Sequence, residues 1–365
     1  MQDEKAVRRK SRVVRVGKVS MGGDHPIVVQ SMTITDTRDA DATIKQILEL
    51  EEVGCEMARV AVPDNEAALQ LRTIREGINI PLIADIHFNF KHAITAIDQG
   101  VDKVRLNPGN IGGPDKFKEV MRLLKDRGVP SRIGVNSGSL EMDLIEKYGY
   151  PTSDALVESA IRYCAIADEV GYSDFCVSLK SSNVPMTVNA YRSFAAKTDV
   201  PLHLGVTEAG DSTYSPIKSS AGIGALLLDG IGDTIRVSML GDPCLEIPVC
   251  FDLLKATGRR VISPEIVACP SCGRIEIDLE KIVGEVKERL KMSRLPLVIS
   301  LLGCVVNGPG EAREADIGLA AGRGFGMIFK KGVMVRRVME DEMVDALIEE
   351  IESMDPSKVA SKSSS

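Results

Sequence analysis

MARVAVPDNEAALQLRTIREGINIPLIADIH, residues 57–87, sets the pattern from which the fold is read. A short apolar run at 57–62 reads as a strand, the helical spacing over 66–76 as a helix, and the run at 82–86 as a second strand. Gly77 stands where a helix stops, and Pro81 opens the second strand through a tight connection. Outward from this unit, candidate strands fall at 27–32, 103–107, 132–136, 175–179, 202–206 and 234–239. Helical patterns fill 42–52, 91–99, 115–126, 152–169 and 187–197, with further glycine stops at Gly54, Gly100, Gly128 and Gly171. Pro130 and Pro201 repeat the role of Pro81. Eight strands with intervening helices are what a closed TIM-type (β/α)8 barrel requires. The alternative, an open doubly wound sheet, expects a GxGxxG after its first strand, and none is present.

The eighth strand ends near Gly241, residues 242–258 read as a connecting segment, and the pattern changes near Ser263. A strand at 262–267, a cysteine pair, a helix at 278–291 and a strand at 297–302 follow. A glycine-rich loop then leads to a hairpin at 327–338, turning at Lys331-Gly332, and an acidic helix at 340–353. The expected organisation is a barrel over 1–258, a small α+β domain over 259–355 and a disordered tail over 356–365.

Composition narrows the classes. The 365 residues carry 45 Lys+Arg against 52 Asp+Glu, a net charge of −7, with 4% aromatics and no Trp. Nucleic-acid binding needs a concentrated basic face and, for single strands, exposed aromatics, so that class is set aside. The most apolar run, 295–306, is too short to span a bilayer and is broken by Ser300 and Gly303. The N-terminal basic cluster (Arg8, Arg9, Lys10, Arg12, Arg15) has no apolar stretch behind it, so neither a secretory nor an organellar leader is expected. The eight cysteines then read as thiols or metal ligands, and the chain as a cytoplasmic protein with no membrane partner.

Chemistry in a barrel sits where strand C-termini meet the loops. Arg59, Asp85, His87, Arg105, Asn107, Arg132, Asn136, Lys180, Thr207, Glu208, Arg236 and Ser238 all fall on or just after candidate strands. Five cations aimed at one mouth repel one another unless an anion is bound, which points to a polyanion such as a diphosphate. A bland reading pairs these cations with Asp85 or Glu208. His87 reads equally as a structural residue or a catalyst, and Glu208 as a charge partner or a proton donor.

The strongest local motif is Cys269-Pro270-Ser271-Cys272-Gly273-Arg274, followed by Gly303-Cys304-Val305-Val306-Asn307-Gly308-Pro309-Gly310-Glu311. Two thiolates of a CxxC loop converge on a metal centre, Cys304 offers a third, and Glu311 can fold back across the Gly-Pro-Gly turn as a carboxylate donor. Structural zinc and an iron–sulfur cluster both remain open on these features alone. Cys55, Cys164, Cys176, Cys244 and Cys250 are scattered among apolar residues and read as buried structural thiols.

The two cysteine segments together closely resemble the 4-hydroxy-3-methylbut-2-enyl diphosphate synthase family of the non-mevalonate isoprenoid pathway. The segments 29–33 (VQSMT), 84–88 (ADIHF), 105–109 (RLNPG), 134–138 (GVNSG), 204–210 (LGVTEAG) and 233–238 (DTIRVS) also resemble it. The resemblance covers roughly 12–351 and is to the shorter, bacterial two-domain type. It implies an oxidoreductase that opens and dehydrates 2-C-methyl-D-erythritol 2,4-cyclodiphosphate with two electrons from flavodoxin or ferredoxin. It implies one 4Fe–4S cluster per subunit on Cys269, Cys272, Cys304 and Glu311, in a head-to-tail homodimer. On it, Arg59, Arg105, Arg132, Lys180 and Arg236 grip the cyclic diphosphate, helped by Asp85, His87, Asn107, Asn136, Thr207, Ser238 and Asn307. Glu311 becomes an exchangeable ligand, while Glu208, with His87 near it, manages the proton lost as water. Two rivals are a phosphate- or pterin-binding barrel transferase with a structural zinc domain, and a non-enzymatic metal-cluster sensor.

Overall fold

Alternation along short parallel strands decides what the first part of the chain buries. The computed structural model describes residues 7–87, 89–269, 272, 274–291, 293, 295–304 and 315–354. The chain divides into two compact units, 1–259 and 260–365. The first opens with an antiparallel hairpin, β1 (Val14–Val16) and β2 (Val19–Met21). Eight parallel strands follow: β3 (Val28–Met32), β4 (Met57–Val62), β5 (Leu82–Ile86), β6 (Lys103–Leu106), β7 (Ser131–Asn136), β8 (Phe175–Lys180), β9 (His203–Leu204) and β10 (Thr234–Ile235). Their order is β8-β7-β6-β5-β4-β3-β10-β9, and a parallel bridge from Val177 to Leu202 closes the ring. This is the (β/α)8 barrel that the strand–helix pattern predicts.

The crossovers carry α1 (Ala40–Glu52), α2 (Asn65–Glu76), α3 (Phe90–Asp98), α4 (Pro114–Arg127), α5 (Met142–Tyr148), α6 (Ser153–Glu169) and α7 (Val184–Ala195). Next come α8 (Tyr214–Ser219), α9 (Ala225–Leu228) and α10 (Glu246–Ala256). One set of strand residues, including Val60, Leu82, Ala84, Val104, Ile133, Val177, Leu204 and Ile235, packs outward under these helices. The alternate set faces the barrel interior, where Val28, Met57, Ile83 and Cys176 meet the hairpin residues Val14, Val16 and Met21. The hairpin therefore plugs one end of the barrel with apolar side chains.

Two expectations are corrected. Residues 242–258 are not merely a connection, because α10 buries Ile247, Cys250 and Leu254, with Pro248 tolerated in its first turn. Gly77 caps α2 where the helix is expected to stop, with a right-handed φ of −87°, and a Cβ there would lie 2.7 Å from the Ile44 side chain of α1. Its smallness serves helix packing. Cys176 is buried but not in wholly apolar surroundings, since Lys103 Nζ donates to its sulfur at 3.2 Å.

The second unit holds β11 (Glu265–Ala268), α11 (Leu279–Arg289), β12 (Val298–Leu302), β13 (Ile317–Gly322), β14 (Phe325–Lys330), β15 (Val333–Met339) and α12 (Met343–Glu352). The strands β11, β12 and β13 are parallel, while β14 and β15 continue antiparallel. Lys331 and Gly332, at φ 48° and 78°, make the turn between the last two. Ile282, Val286, Leu301, Leu319, Leu347 and Ile348 centre a core of its own. Asn307, Glu311 and the tail expected at 356–365 lie outside the described residues. Among the described residues no helix is long and apolar enough to cross a membrane.

Candidate functional site

Because side chains alternate on a strand, Arg59 of β4, Asp85 of β5, Arg105 of β6, Arg132 of β7 and Lys180 of β8 all point into the barrel. All five are buried. Arg236, one residue past β10, joins them through its partners. Two glycines make the room: a Cβ at Gly134 would lie 2.6 Å from Arg105 Nε, and one at Gly205 2.5 Å from Lys180 Nζ.

Two carboxylates organise this charge. Asp85 Oδ1 takes Arg105 Nη1 at 3.0 Å, and its other oxygen lies 3.5 Å from Arg59 Nε. Burial pushes the Asp85 carboxyl pKa up, but Arg105, Arg59, His87 and Arg132 overturn that push and hold it below the usual carboxylate range. His87 Nε2 sits 3.3 Å from Arg105 Nη1, half-exposed at the rim. Burial lowers its pKa first, Asp85 opposes that, and Arg105 and Arg59 add to it, so the imidazole is neutral near pH 7.

The second carboxylate is Glu246 of α10. It accepts Arg236 Nε at 3.1 Å and Nη2 at 2.9 Å, Ser31 Oγ at 2.7 Å and the Met239 amide at 3.1 Å. Between Arg236 and Arg59 lies the Met32 thioether, 3.0 Å from Arg59 Nη2 and 3.7 Å from Arg236 Nη1. It accepts from both guanidiniums without neutralising either.

Two cations are left without a carboxylate. Among the described residues neither Arg132 nor Lys180 makes an ion pair, and the buried Nε atoms of Arg132 and Arg105 have no acceptor. Burial, then Arg105, lowers Arg132 to about 10, which still leaves it charged at neutral pH. Lys180 Nζ rests 3.2 Å from His203 Nε2, whose Nδ1 contacts Thr234 Oγ1 at 2.5 Å. Five cations against two carboxylates is the donor set a multiply charged anion needs.

The rim residues are less concentrated. Asn107, buried, donates to Ser139 Oγ at 2.8 Å. Asn136, with its amide turned to satisfy both atoms, accepts from Arg105 Nη2 at 3.1 Å. Thr207 and Ser238 are half-buried just past β9 and β10. Glu208 is exposed and holds a φ of 52°, a strained value for a side chain with a Cβ, while its carbonyl accepts from Lys218 Nζ at 3.0 Å. Sequence reasoning missed Glu246, His203 and Met32. The inward parity of strand 202–206 was the available signal for His203; Glu246 had none, because its segment read as a connection.

In the second unit, Cys269 follows β11 and Cys304 follows β12, so two neighbouring parallel strands deliver both to one sheet end. The Gly303 amide donates to Cys269 Sγ at 3.4 Å. Cys272 is exposed, and amide and side-chain hydrogen bonds from Arg274 lower its thiol pKa. Arg274 feels Cys272, Cys304 and Cys269 together, which raises its own pKa. Among the described residues no three His, Cys, Asp or Glu converge on a single metal ion. Two thiols delivered to one sheet end, with an amide aimed at sulfur, suit iron–sulfur ligation. A groove of about 900 Å³ between α11 and α12 carries six acids and repels an anion.

The fold and this geometry define a (β/α)8 barrel protein with a cation-rich interior and a thiol-bearing second domain. Residues 11–251 match the GcpE TIM-barrel domain, and 265–353 match the GcpE protein C-terminal domain. The chain belongs to the GcpE family. It is 54% identical over 344 residues to a 4-hydroxy-3-methylbut-2-en-1-yl diphosphate synthase (flavodoxin) of Thermodesulfovibrio yellowstonii, covering 94% of this chain and 99% of the relative. Relatives of the same name from Aquifex aeolicus (53% identical, 95% and 98% covered) and Symbiobacterium thermophilum (52%, 94% and 93%) are similar. Among solved structures, dihydropteroate synthase from Stenotrophomonas maltophilia covers 67% of this chain and 97% of its own, at a TM-score of 0.50 and 14% identity. That likeness concerns the fold alone.

Proposed function

We propose that this protein is a flavodoxin-dependent oxidoreductase of isoprenoid biosynthesis, reducing 2-C-methyl-D-erythritol 2,4-cyclodiphosphate to 4-hydroxy-3-methylbut-2-enyl diphosphate. The observation that carries the reading is the excess of buried cations over carboxylates in the barrel. In the reaction the ring carbon–oxygen bond to phosphate breaks, a hydroxyl leaves as water, and two electrons enter.

Arg59, Arg105, Arg132, Lys180 and Arg236 bind the diphosphate and stabilise the negative charge that ring opening localises on it. Asp85 and Glu246 fix three of those cations, so the site is formed before the ligand arrives. Asn107, Asn136, Thr207, Ser238 and Asn307 orient the carbon skeleton. Glu208, on its strained turn and with neutral His87 on the same rim, delivers the proton that leaves in water. Cys269, Cys272, Cys304 and Glu311 would hold a 4Fe–4S cluster, one per subunit, which supplies the electrons when bound. Reduced flavodoxin, or ferredoxin, is the electron donor. The working form is a cytoplasmic head-to-tail homodimer, as the family resemblance implies.

The test is anaerobic purification, metal and sulfide analysis, and turnover of the cyclodiphosphate with reduced flavodoxin. About four irons and four sulfides per chain with turnover support the reading; one tight zinc without sulfide or turnover overturns it. Replacing Glu208→Gln leaves the cluster spectrum intact and abolishes turnover. Normal turnover in that variant removes Glu208 from the mechanism.

A further inference from the structure

Lys180 differs from the other four cations of the barrel. The Asp85 oxygens face Arg105 and Arg59, and the Glu246 oxygens face Arg236. What faces Lys180 is the His203 ring of β9 at 3.2 Å and, further off, Arg132 of β7, Arg59 of β4, Arg105 of β6 and Arg236. Its amine fills the space left by the missing side chain of Gly205. His203 is fully buried, and burial together with Lys180, Arg132, Arg59 and Lys103 keeps its ring neutral. A neutral ring accepts one N–H from Lys180 and offers no countercharge.

We propose that Lys180 stands in the ligand-free site as an uncharged amine held by His203, and takes up one proton from solvent when the diphosphate binds. This rests on the functional reading above. The chemistry is a balanced proton transfer: amine plus solvent proton gives ammonium, and the bound phosphate oxygens supply the missing countercharge. The direction of the Lys180 pKa agrees, being pushed well below its ordinary value first by burial and then by Arg132, Arg59, Arg236 and Arg105. His203 is a positioning residue, aiming the amine rather than touching the ligand. The device lets the barrel hold four permanent cations without a fifth repelling them, and adds the fifth charge only when there is an anion to meet it.

The sign follows from linkage. Binding that takes up a proton weakens as pH rises between the lowered ligand-free value and the raised bound value, by about tenfold per pH unit. The cyclic diphosphate is a suitable probe, because each phosphorus carries one strongly acidic oxygen and none titrates near neutrality.

The experiment is calorimetric titration of the cyclodiphosphate into the anaerobically purified full chain at pH 8, in buffers of different ionisation enthalpy. The expected slope is close to one proton taken up per ring bound. In Lys180→Arg, permanently charged, the slope falls to near zero while the ring still binds. In His87→Asn the slope persists, which excludes the imidazole at the rim; its loss there assigns the proton to His87 and overturns the proposal. Binding by the wild type without uptake also overturns it, whatever the variants do. Absence of any binding overturns the functional reading itself, a distinct result.

Discussion

Glu246 is 1% exposed and the only carboxylate given to Arg236 among the described residues. Removing one member of such a pair leaves the other charge buried without compensation. Glu246→Ala therefore lowers the stability of the barrel by about 3–5 kcal/mol, read from the barrel's transition in a calorimetric scan. Glu246→Gln, which keeps the acceptor oxygen for Ser31 and one Arg236 donor, costs less and raises KM. A loss below about 1 kcal/mol in the alanine variant would place Glu246 among ordinary surface pairs. The same residue shows where reading stops. Arg59, Asp85, Arg105, Arg132 and Lys180 share an inward parity on strands that the sequence marks, so their meeting is legible. Glu246 reaches them from a helix at the far end of the barrel's sequence, and 215 residues separate it from its partner Ser31. No local spacing encodes such a contact.

At the scale of elements, the barrel closes where its ladders are shortest. Strands β9 and β10 contribute two residues each, and a single bridge joins Val177 to Leu202. Asp233 compensates just before β10. It takes the Leu202 amide at 2.8 Å with one oxygen, and Ser11 Oγ at 2.8 Å and Arg8 Nη2 at 3.0 Å with the other. One buried carboxylate thus ties the N-terminal strap, β9 and β10 together. Asp233→Ala leaves that amide and hydroxyl without acceptors, at about 1–3 kcal/mol each. The measurement is amide hydrogen exchange: Leu202 and Val177 lose protection in the variant, while amides in β4, β5 and β6 keep theirs. Uniform loss across all eight strands would show instead that closure is carried by packing alone. The elements themselves divide along the same line. Long strands and helices with glycine stops, such as Gly128 closing α4 at a φ of 63°, are readable from sequence. Strand β13, IGLAAG, is not, because its small residues are buried by neighbours rather than chosen for strand propensity.

At the scale of the whole molecule, a protein of net charge −7 buries Arg59, Arg105, Arg132 and Lys180 inside one barrel. Screening by salt acts weakly on such buried groups, so their attraction for a diphosphate outlasts ionic strengths that erase surface steering. The two units also have separate apolar cores, one around the barrel and one under the second sheet. All five cations belong to the first unit and all three motif cysteines to the second. On the proposed function, anion binding and electron supply are therefore separable. Stripping metal from the full chain with a chelator under anaerobic conditions should abolish turnover yet leave the Kd for the cyclodiphosphate within about tenfold, a change of about 1.4 kcal/mol. Raising salt from 50 to 500 mM should change that Kd by a similar factor at most, measured by the same titration. Loss of binding by several hundredfold on stripping would mean that the metal, and not the barrel's cations, holds the ring, and the assignment of Arg59, Arg105, Arg132, Lys180 and Arg236 as the diphosphate grip would fall with it.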